Sequence, residues 1–347
     1  MAVAMNTQRP GSPASPSSPV FALAAPDLSR ARAGNTGVEG VWTFDAGRPG
    51  RHVLITAIVH GNELCGAWAL HDLLEAGLRP DRGRLTLAFC NLAAFDRFDP
   101  LDHDASRFVD EDLNRQWTSD RITLGDSLER RRAARLAPFV RDADWLLDLH
   151  SMHERSSPLT LTGLHDGNVD LAVAMGAGTT VVMDAGHADG MRMRDFEAFG
   201  TAESIAAGKR SLLIECGFHG DLASRQVARD HCVRFLALSG LFAPDALRQA
   251  LDDWWLPDAA EIQVLEVTGA VVARSTDIDF VAGFQGLETF PLAGTLVGHD
   301  AGRPLVTPHD DCVLVMPSLR HARPGVTVVR FARRRAIRRA DRTGIRA

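Results

Sequence analysis

The feature that most constrains this chain is an alternation, sustained over roughly 200 residues, of short apolar runs with helix-period segments. Runs at 52–59 (HVLITAIV), 84–92 (RLTLAFCNL), 143–150 (ADWLLDLH) and 211–217 (SLLIECG) read as buried strands. Between and after them, 63–77 (ELCGAWALHDLLEAG), 127–140 (SLERRRAARLAPFV), 168–178 (NVDLAVAMGAG) and 223–238 have the length and spacing of helices. Strands separated by helices predict an α/β fold, an open mixed sheet with helices on both faces, whose ligands collect at the carboxyl ends of the strands. After Trp254-Trp255-Leu256-Pro257 the pattern changes. β-branched runs at 262–273, 305–308, 312–317 and 326–331, punctuated by Gly, Pro and Asp, predict a small C-terminal all-β domain. The expected organisation is a disordered, Pro/Ser/Ala/Gly-rich extension over 1–35, the α/β domain over 36–255, a β barrel or sandwich over 256–330 and an Arg-rich tail over 331–347.

Composition excludes several classes. Five cysteines without any CxxC spacing fit neither a disulfide framework nor a structural zinc knot. No apolar run is long enough for a membrane span and the N-terminus lacks a signal pattern, so a cytoplasmic protein is expected. Tyrosine is absent, and Lys209 is the only lysine among 38 basic residues. Chemistry needing a catalytic tyrosine is therefore excluded, and chemistry needing a lysine must use Lys209. The net charge of -6 hides a split: residues 320–347 hold ten arginines and one aspartate, which leaves -15 for the rest.

Four features sit where an α/β sheet collects ligands. The strand at 52–59 runs into His60-Gly61-Asn62-Glu63, an imidazole and a carboxylate able to face one point and suited to a borderline metal such as zinc. One such pair alone is weak evidence, because a surface His and Glu are more often simply solvated. ADWLLDLH ends a separate strand in His150, able to complete a three-ligand catalytic site, with Asp148 on the same face either orienting an imidazole or capping a loop. SLLIECG carries Glu215, and an acid at the end of a buried strand is either paired in a salt bridge or functional. RFVDEDLNRQW brings Arg107, Asn114 and Arg115, donors suited to a carboxylate or an oxyanion.

HGNE, Arg107-x6-Asn114-Arg115, DLH and the IECG strand stand in an order and at separations that resemble the succinylglutamate desuccinylase/aspartoacylase family of the zinc carboxypeptidase clan. The resemblance covers about residues 38–330, since the family also carries a C-terminal β domain. It implies a zinc carboxypeptidase-like fold and one Zn²⁺ per chain held by His60, Glu63 and His150. It further implies Glu215 as general base and acid on a zinc-bound water, Arg107 as oxyanion donor, and Asn114 with Arg115 as holders of the substrate α-carboxylate. The implied reaction is removal of an acyl group from an N-acyl amino acid or related small amide. The alternatives within enzymes are a peptide carboxypeptidase and an ester hydrolase.

This chain departs from the pattern at two places. The clan commonly places a tyrosine in the substrate pocket, and His219 is a candidate replacement, a solvated loop histidine being the other reading. Where dicarboxylate hydrolases of the family align an arginine before the Glu215 strand, this chain aligns Glu203, which implies preference for a neutral or cationic side chain. The Gly-rich, charged stretch 183–200 is expected to be a loop over the pocket, with His187, Asp189, Arg192 and Arg194 as contact candidates, and His153 and Glu154, just past His150, are expected to line the site. The C-terminal module contains no lysine, which excludes a biotin- or lipoate-type carrier and leaves shaping the pocket and contacts between copies of the chain. The Arg-rich tail comes with no nucleic-acid motif, so no nucleic acid and no membrane are expected as partners, only a small N-acyl amino acid and, by way of the β module, a homo-oligomer.

Overall fold

The computed structural model describes residues 21–337 apart from Ala188 and Pro244. Fourteen strands are described: β1 (Val41–Asp45), β2 (His52–Ala57), β3 (Arg84–Phe89), β4 (Trp145–Met152), β5 (Leu159–Leu161), β6 (Thr180–Met183), β7 (Arg210–Phe218), β8 (Gln263–Val272), β9 (Ile278–Phe280), β10 (Thr289–Phe290), β11 (Leu296–Asp300), β12 (Arg303–Val306), β13 (Cys312–Val315) and β14 (Thr327–Arg335). Eleven of them form one mixed sheet in the order β1-β3-β2-β4-β7-β5-β6-β8-β14-β13-β10, and β12-β11-β9 form a small antiparallel sheet. The centre is parallel: β3, β2, β4 and β7 all run the same way.

Alternation along β2 shows why helices cover both faces. Val53, Ile55 and Ala57 pack with the helices Leu64–Ala76 and Leu222–Ser239, while Leu54 faces the opposite core with Ala133, Leu136 and Val140 of the helix Leu128–Asp142. This is the period-2 pattern of a strand buried on both sides. Lys209, the sole lysine, donates to the carbonyls of Arg141 and Ala143 at the carboxyl end of that last helix, where a cation is favourable.

Three sequence expectations change. Of the extension 1–35, residues 1–20 lie outside the described residues, but 21–35 are packed. Leu23, Leu28 and Ala31 are buried in the main core and Phe21 stacks among Phe98, His103 and Phe218. The expected boundary at 255/256 does not interrupt the sheet, because β8 pairs in parallel with β6 and continues it into β14 and β13. Residues 331–335 of the expected tail belong to β14, with Phe331 and Ala332 buried; the remainder from 338 lies outside the described residues.

Candidate metal centre

The carboxyl ends of β2, β4 and β7 converge. β2 stops at Ala57 because Ile58 takes a positive φ of 47° and turns the chain toward the helix Leu64–Ala76. Gly61 sits at that turn against foreign backbone: a Cβ there would lie 2.4 Å from atoms of Ala94, Phe95 and Ser106. Its N–H donates to the carbonyl of Arg107, so the glycine pins the loop carrying the arginine to the turn carrying the histidine. In register terms His150 of β4 stands directly beside Glu215 of β7.

His60, Glu63 and His150 are buried, and one ligand atom from each lies within 4.8 Å of the other two. The His60 Nδ1 is 2.7 Å from Glu63 Oε1, and the His150 Nδ1 is 2.7 Å from Glu63 Oε2. On the far side of each ring an aspartate oxygen takes the Nε2: Asp112 at 2.9 Å from His60, Asp148 at 2.9 Å from His150. Carboxylates only accept, so each Nε2 carries a proton, and a neutral ring then turns a bare Nδ1 lone pair toward the Glu63 carboxylate. Positive charge must therefore stand between ring and carboxylate, either a proton on Nδ1 or a metal ion in its place. The Glu63 Oε2 approach lacks hydrogen-bond alignment and the atom has no other partner, as expected of an oxygen placed for a cation. The electrostatics of the side chains alone are those of an imidazolium–carboxylate pair, whose proton a bound cation would replace. Burial raises the Glu63 carboxyl, yet the His60 and His150 imidazoles hold it well below the usual range. Burial lowers His150, yet Asp148 and Glu63 drive it well above an ordinary histidine. Two imidazole nitrogens, each braced from behind by an aspartate, and a carboxylate fit Zn²⁺.

A cleft of about 680 Å³ opens over these residues and is also lined by Arg107, Glu215, Asn114, Arg115, His187, Arg192 and Arg330. Arg107 is held on two sides: its NH2 donates to Asp112 Oδ2 at 2.9 Å and its NH1 donates to His153 Nε2 at 3.1 Å, leaving NH1 3.8 Å from Glu63 Oε1. Asp112 thus fixes a metal-facing histidine and the arginine with its two oxygens. Glu215 has a buried Oε2 without a hydrogen bond. Burial pushes its carboxyl up to about 8, against the lowering influence of His150.

The remaining candidates divide. Asn114 is buried beside the triad with Nδ2 3.5 Å from His150 Nε2, but its Oδ1 is occupied by the Met193 N–H. Arg115 lines the cleft and pairs with Asp189. Glu203 is misplaced by the sequence reading: it lies exposed on the short helix Ala202–Ala206, ahead of the amino end of β7, while the cleft lies at the carboxyl end. His219 is neither in the cleft nor solvated. It is buried, with Nδ1 2.7 Å from Ser151 Oγ and Nε2 3.3 Å from His153 Nδ1. Within 183–200, His187, Asp189 and Arg192 line the cleft, whereas Arg194 is fully buried on the carbonyls of Thr162 and Ser211. His153 and Glu154 both line it. Residues missed in the sequence are Asp112, inside RFVDEDLNRQW, and Glu129. The buried Glu129 carboxylate accepts the N–H groups of Val109, Asp110 and Glu111 and so shapes the loop after Arg107. A second group, Asp104, His153 and His321, also brings three ligand-type atoms within 4.8 Å.

Residues 49–232, more than half of the chain, match the family model for the succinylglutamate desuccinylase/aspartoacylase catalytic domain. No curated protein matches at a significant level. Among solved structures the chain is similar to the succinylglutamate desuccinylase of Vibrio parahaemolyticus (19% identity, 86% of this chain and 87% of that one, TM-score 0.60). It is also similar to a succinylglutamate desuccinylase/aspartoacylase from Rhodobacter sphaeroides (21%, 84% and 87%, 0.57). A third is the product-bound ectoine utilization protein EutE (DoeB) from Ruegeria pomeroyi (16%, 84% and 88%, 0.57). At these identities the likeness is one of fold.

Proposed function

Because the chain belongs to the succinylglutamate desuccinylase/aspartoacylase family, we propose that it is a zinc-dependent amidohydrolase that removes an acyl group from an N-acyl amino acid or related small amide. The observation that carries this reading is that His60, Glu63, His150, Arg107 and Glu215 border one cleft at the strand ends. His60, Glu63 and His150 would hold a Zn²⁺, which would supply Lewis acidity for a water and a carbonyl.

The chain's own residues do the rest. Glu215, raised by burial and unpartnered, takes a proton from the attacking water and delivers it to the nitrogen of the leaving amine as the acyl C–N bond breaks. A divalent cation held by the triad would favour its carboxylate form, the form a base needs. The Arg107 guanidinium, fixed by Asp112 and His153, presents NH1 toward the triad, where negative charge develops on the carbonyl oxygen. One preorganised donor of this kind is worth about 3–4 kcal/mol. Arg115 and the Asn114 Nδ2 stand ready for the substrate α-carboxylate. With Glu203 off the cleft, no acid remains at the place where a second carboxylate was expected to be refused. Arg192 and Arg330 also line the cleft, each held in an ion pair with Asp184.

The test is a screen of N-acyl amino acids, peptides and esters with the zinc-loaded enzyme, with Glu215→Gln as control. Acyl amino acids should be cut fastest, and the variant should keep its zinc while losing about 10²- to 10⁴-fold in kcat. Faster turnover of peptides from their carboxyl ends, or a Glu215→Gln enzyme near full activity, overturns the reading.

A further inference from the structure

Beside Arg107, along the same cleft wall, lies a group of side chains to which the proposed reaction gives no role. Asp104 belongs to the turn His103–Ser106 just before the arginine, His153 follows β4, and Arg320 with His321 comes from the loop between β13 and β14. These three parts of the chain meet at one imidazole. Arginine can only donate, so the 3.1 Å contact from Arg107 NH1 obliges His153 Nε2 to present its lone pair. Burial pushes this imidazole down to about 4, so the ring is neutral at pH 7 and its single proton sits on Nδ1. Nδ1 faces Asp104 Oδ1 at 3.1 Å, and His219 Nε2 at 3.3 Å.

Asp104 is anchored in turn. Its Oδ2 accepts from Arg320 NH1 at 2.9 Å, and Arg320 Nε also reaches Glu154 Oε1 at 3.3 Å. His103 Nδ1 and His321 Nε2 approach the same Asp104 Oδ1 at 3.3 and 3.9 Å, and of the three rings His153 makes the aligned contact. The rings of His219 and His321 stand edge-on to that of His153, with centroids 4.7 and 4.8 Å away, and restrict its rotation.

We propose that His153 and Asp104 are positioning residues for Arg107, and that Arg320 extends this support to the β13–β14 loop, so that the C-terminal part of the chain sets the aim of the oxyanion donor. Asp112 grips one guanidinium nitrogen and His153 the other; with both in place NH1 can point only toward the triad. The chain of contacts runs Arg320 to Asp104 to His153 to Arg107, each link a donor meeting an acceptor. The inference rests on the role given above to Arg107, and its test separates the two.

In the zinc-loaded enzyme, with the acyl amino acid that the screen finds best, His153→Phe removes the acceptor while keeping a ring of similar volume. It should lower kcat by roughly 10- to 100-fold, the cost of a misaimed catalytic group, with KM and zinc content nearly unchanged. His153→Gln, whose amide oxygen can accept from Arg107 while its N–H faces Asp104, should recover most of that loss. Arg320→Ala should lower kcat in the same direction, and should add little in the His153→Phe background. Independently of turnover, ¹⁵N imidazole spectra should show His153 as the neutral Nδ1–H tautomer from pH 8 to pH 6. If Arg107→Ala is inactive while His153→Phe and Arg320→Ala behave as wild type, the positioning proposal fails. If Arg107→Ala is itself fully active, the reading of Arg107 fails instead. A His153 that is the Nε2–H tautomer, or a second equivalent of zinc lost in His321→Ala, overturns the proposal in favour of a metal site at Asp104, His153 and His321.

Discussion

Asp112 does two jobs that a single carboxylate can do only when its oxygens point in different directions: one braces His60 and the other holds Arg107. Asp148 braces His150 alone, itself receiving a 2.6 Å hydrogen bond from Thr56 Oγ1. The difference is measurable. Asp148→Asn and Asp112→Asn should each weaken zinc binding by about 10- to 100-fold in competition with a chromogenic chelator. In saturating zinc, Asp148→Asn should recover most of its kcat and Asp112→Asn should not, because its arginine remains released. Equal recovery by both would contradict the double role. Of these residues the sequence showed His60, Glu63, His150 and Glu215, since each stands at the end of an apolar strand where a polar group is expensive. Asp148 was legible from the two-residue repeat of its strand. Asp112 was hidden among Asp110, Glu111 and Asp112, three adjacent acids of which only the fold selects one. The direction of β7 shows why Glu203 cannot meet the substrate: the residues before a strand and those at its end lie at opposite edges of the sheet.

At the scale of elements, the loop 107–115 is held from two sides. Gly61 anchors its start, and the buried Glu129, on the helix Leu128–Asp142, collects three successive N–H groups from 109–111. Gly61→Ala places a methyl 2.4 Å from rigid backbone, so the turn or the loop must shift. Urea unfolding should show a loss of about 1–3 kcal/mol, the range for forced overpacking. Glu129→Gln keeps the shape but turns one acceptor into a donor facing N–H groups, and should cost about 1.5–3 kcal/mol by the same measurement. A variant of either kind unfolding at the wild-type midpoint would show that the loop is not held there. The long strands and helices were readable because burial on both faces imposes unbroken apolar runs. β5 and β6 were not, since three or four residues are too few to show a period. Nor was the continuation of the sheet through β8. An edge between two units is inferred from a change of pattern, and pattern says nothing about which strand the next one pairs with.

Across the whole molecule the split of charge becomes a matter of contact. β14, the start of the basic end, lies against the acidic body through Arg330–Asp184, Arg333–Glu266 and Arg335–Asp166. No helix among the described residues is long and apolar enough to cross a membrane, and the five cysteines are all buried free thiols. Histidine burial sets how such a molecule answers acid. Burial is the leading cause that holds His52, His153, His187, His219, His231 and His321 below the ordinary value. The unfolded chain takes up these protons near pH 6.5, whereas the folded one takes them only at lower pH, His153 at about 4. The unfolded state therefore binds more protons in this window, and stability must fall as the pH drops below about 6.5. Asp104 and Asp112, both depressed, carry the same trend below about 4. Glu215, raised to about 8, and the raised His150 oppose it, but a cation at the triad would favour their unprotonated forms. In excess zinc the melting temperature should consequently fall between pH 7.5 and pH 5, by roughly 5 °C or more. His231 lies outside the cleft, bonded to the Val227 carbonyl within its own helix. His231→Gln should flatten the slope without touching zinc content, which separates buried histidines from simple loss of metal at acid pH. A melting temperature constant from pH 7.5 to pH 5 would mean that these rings gain their protons as readily folded as unfolded, contrary to their burial.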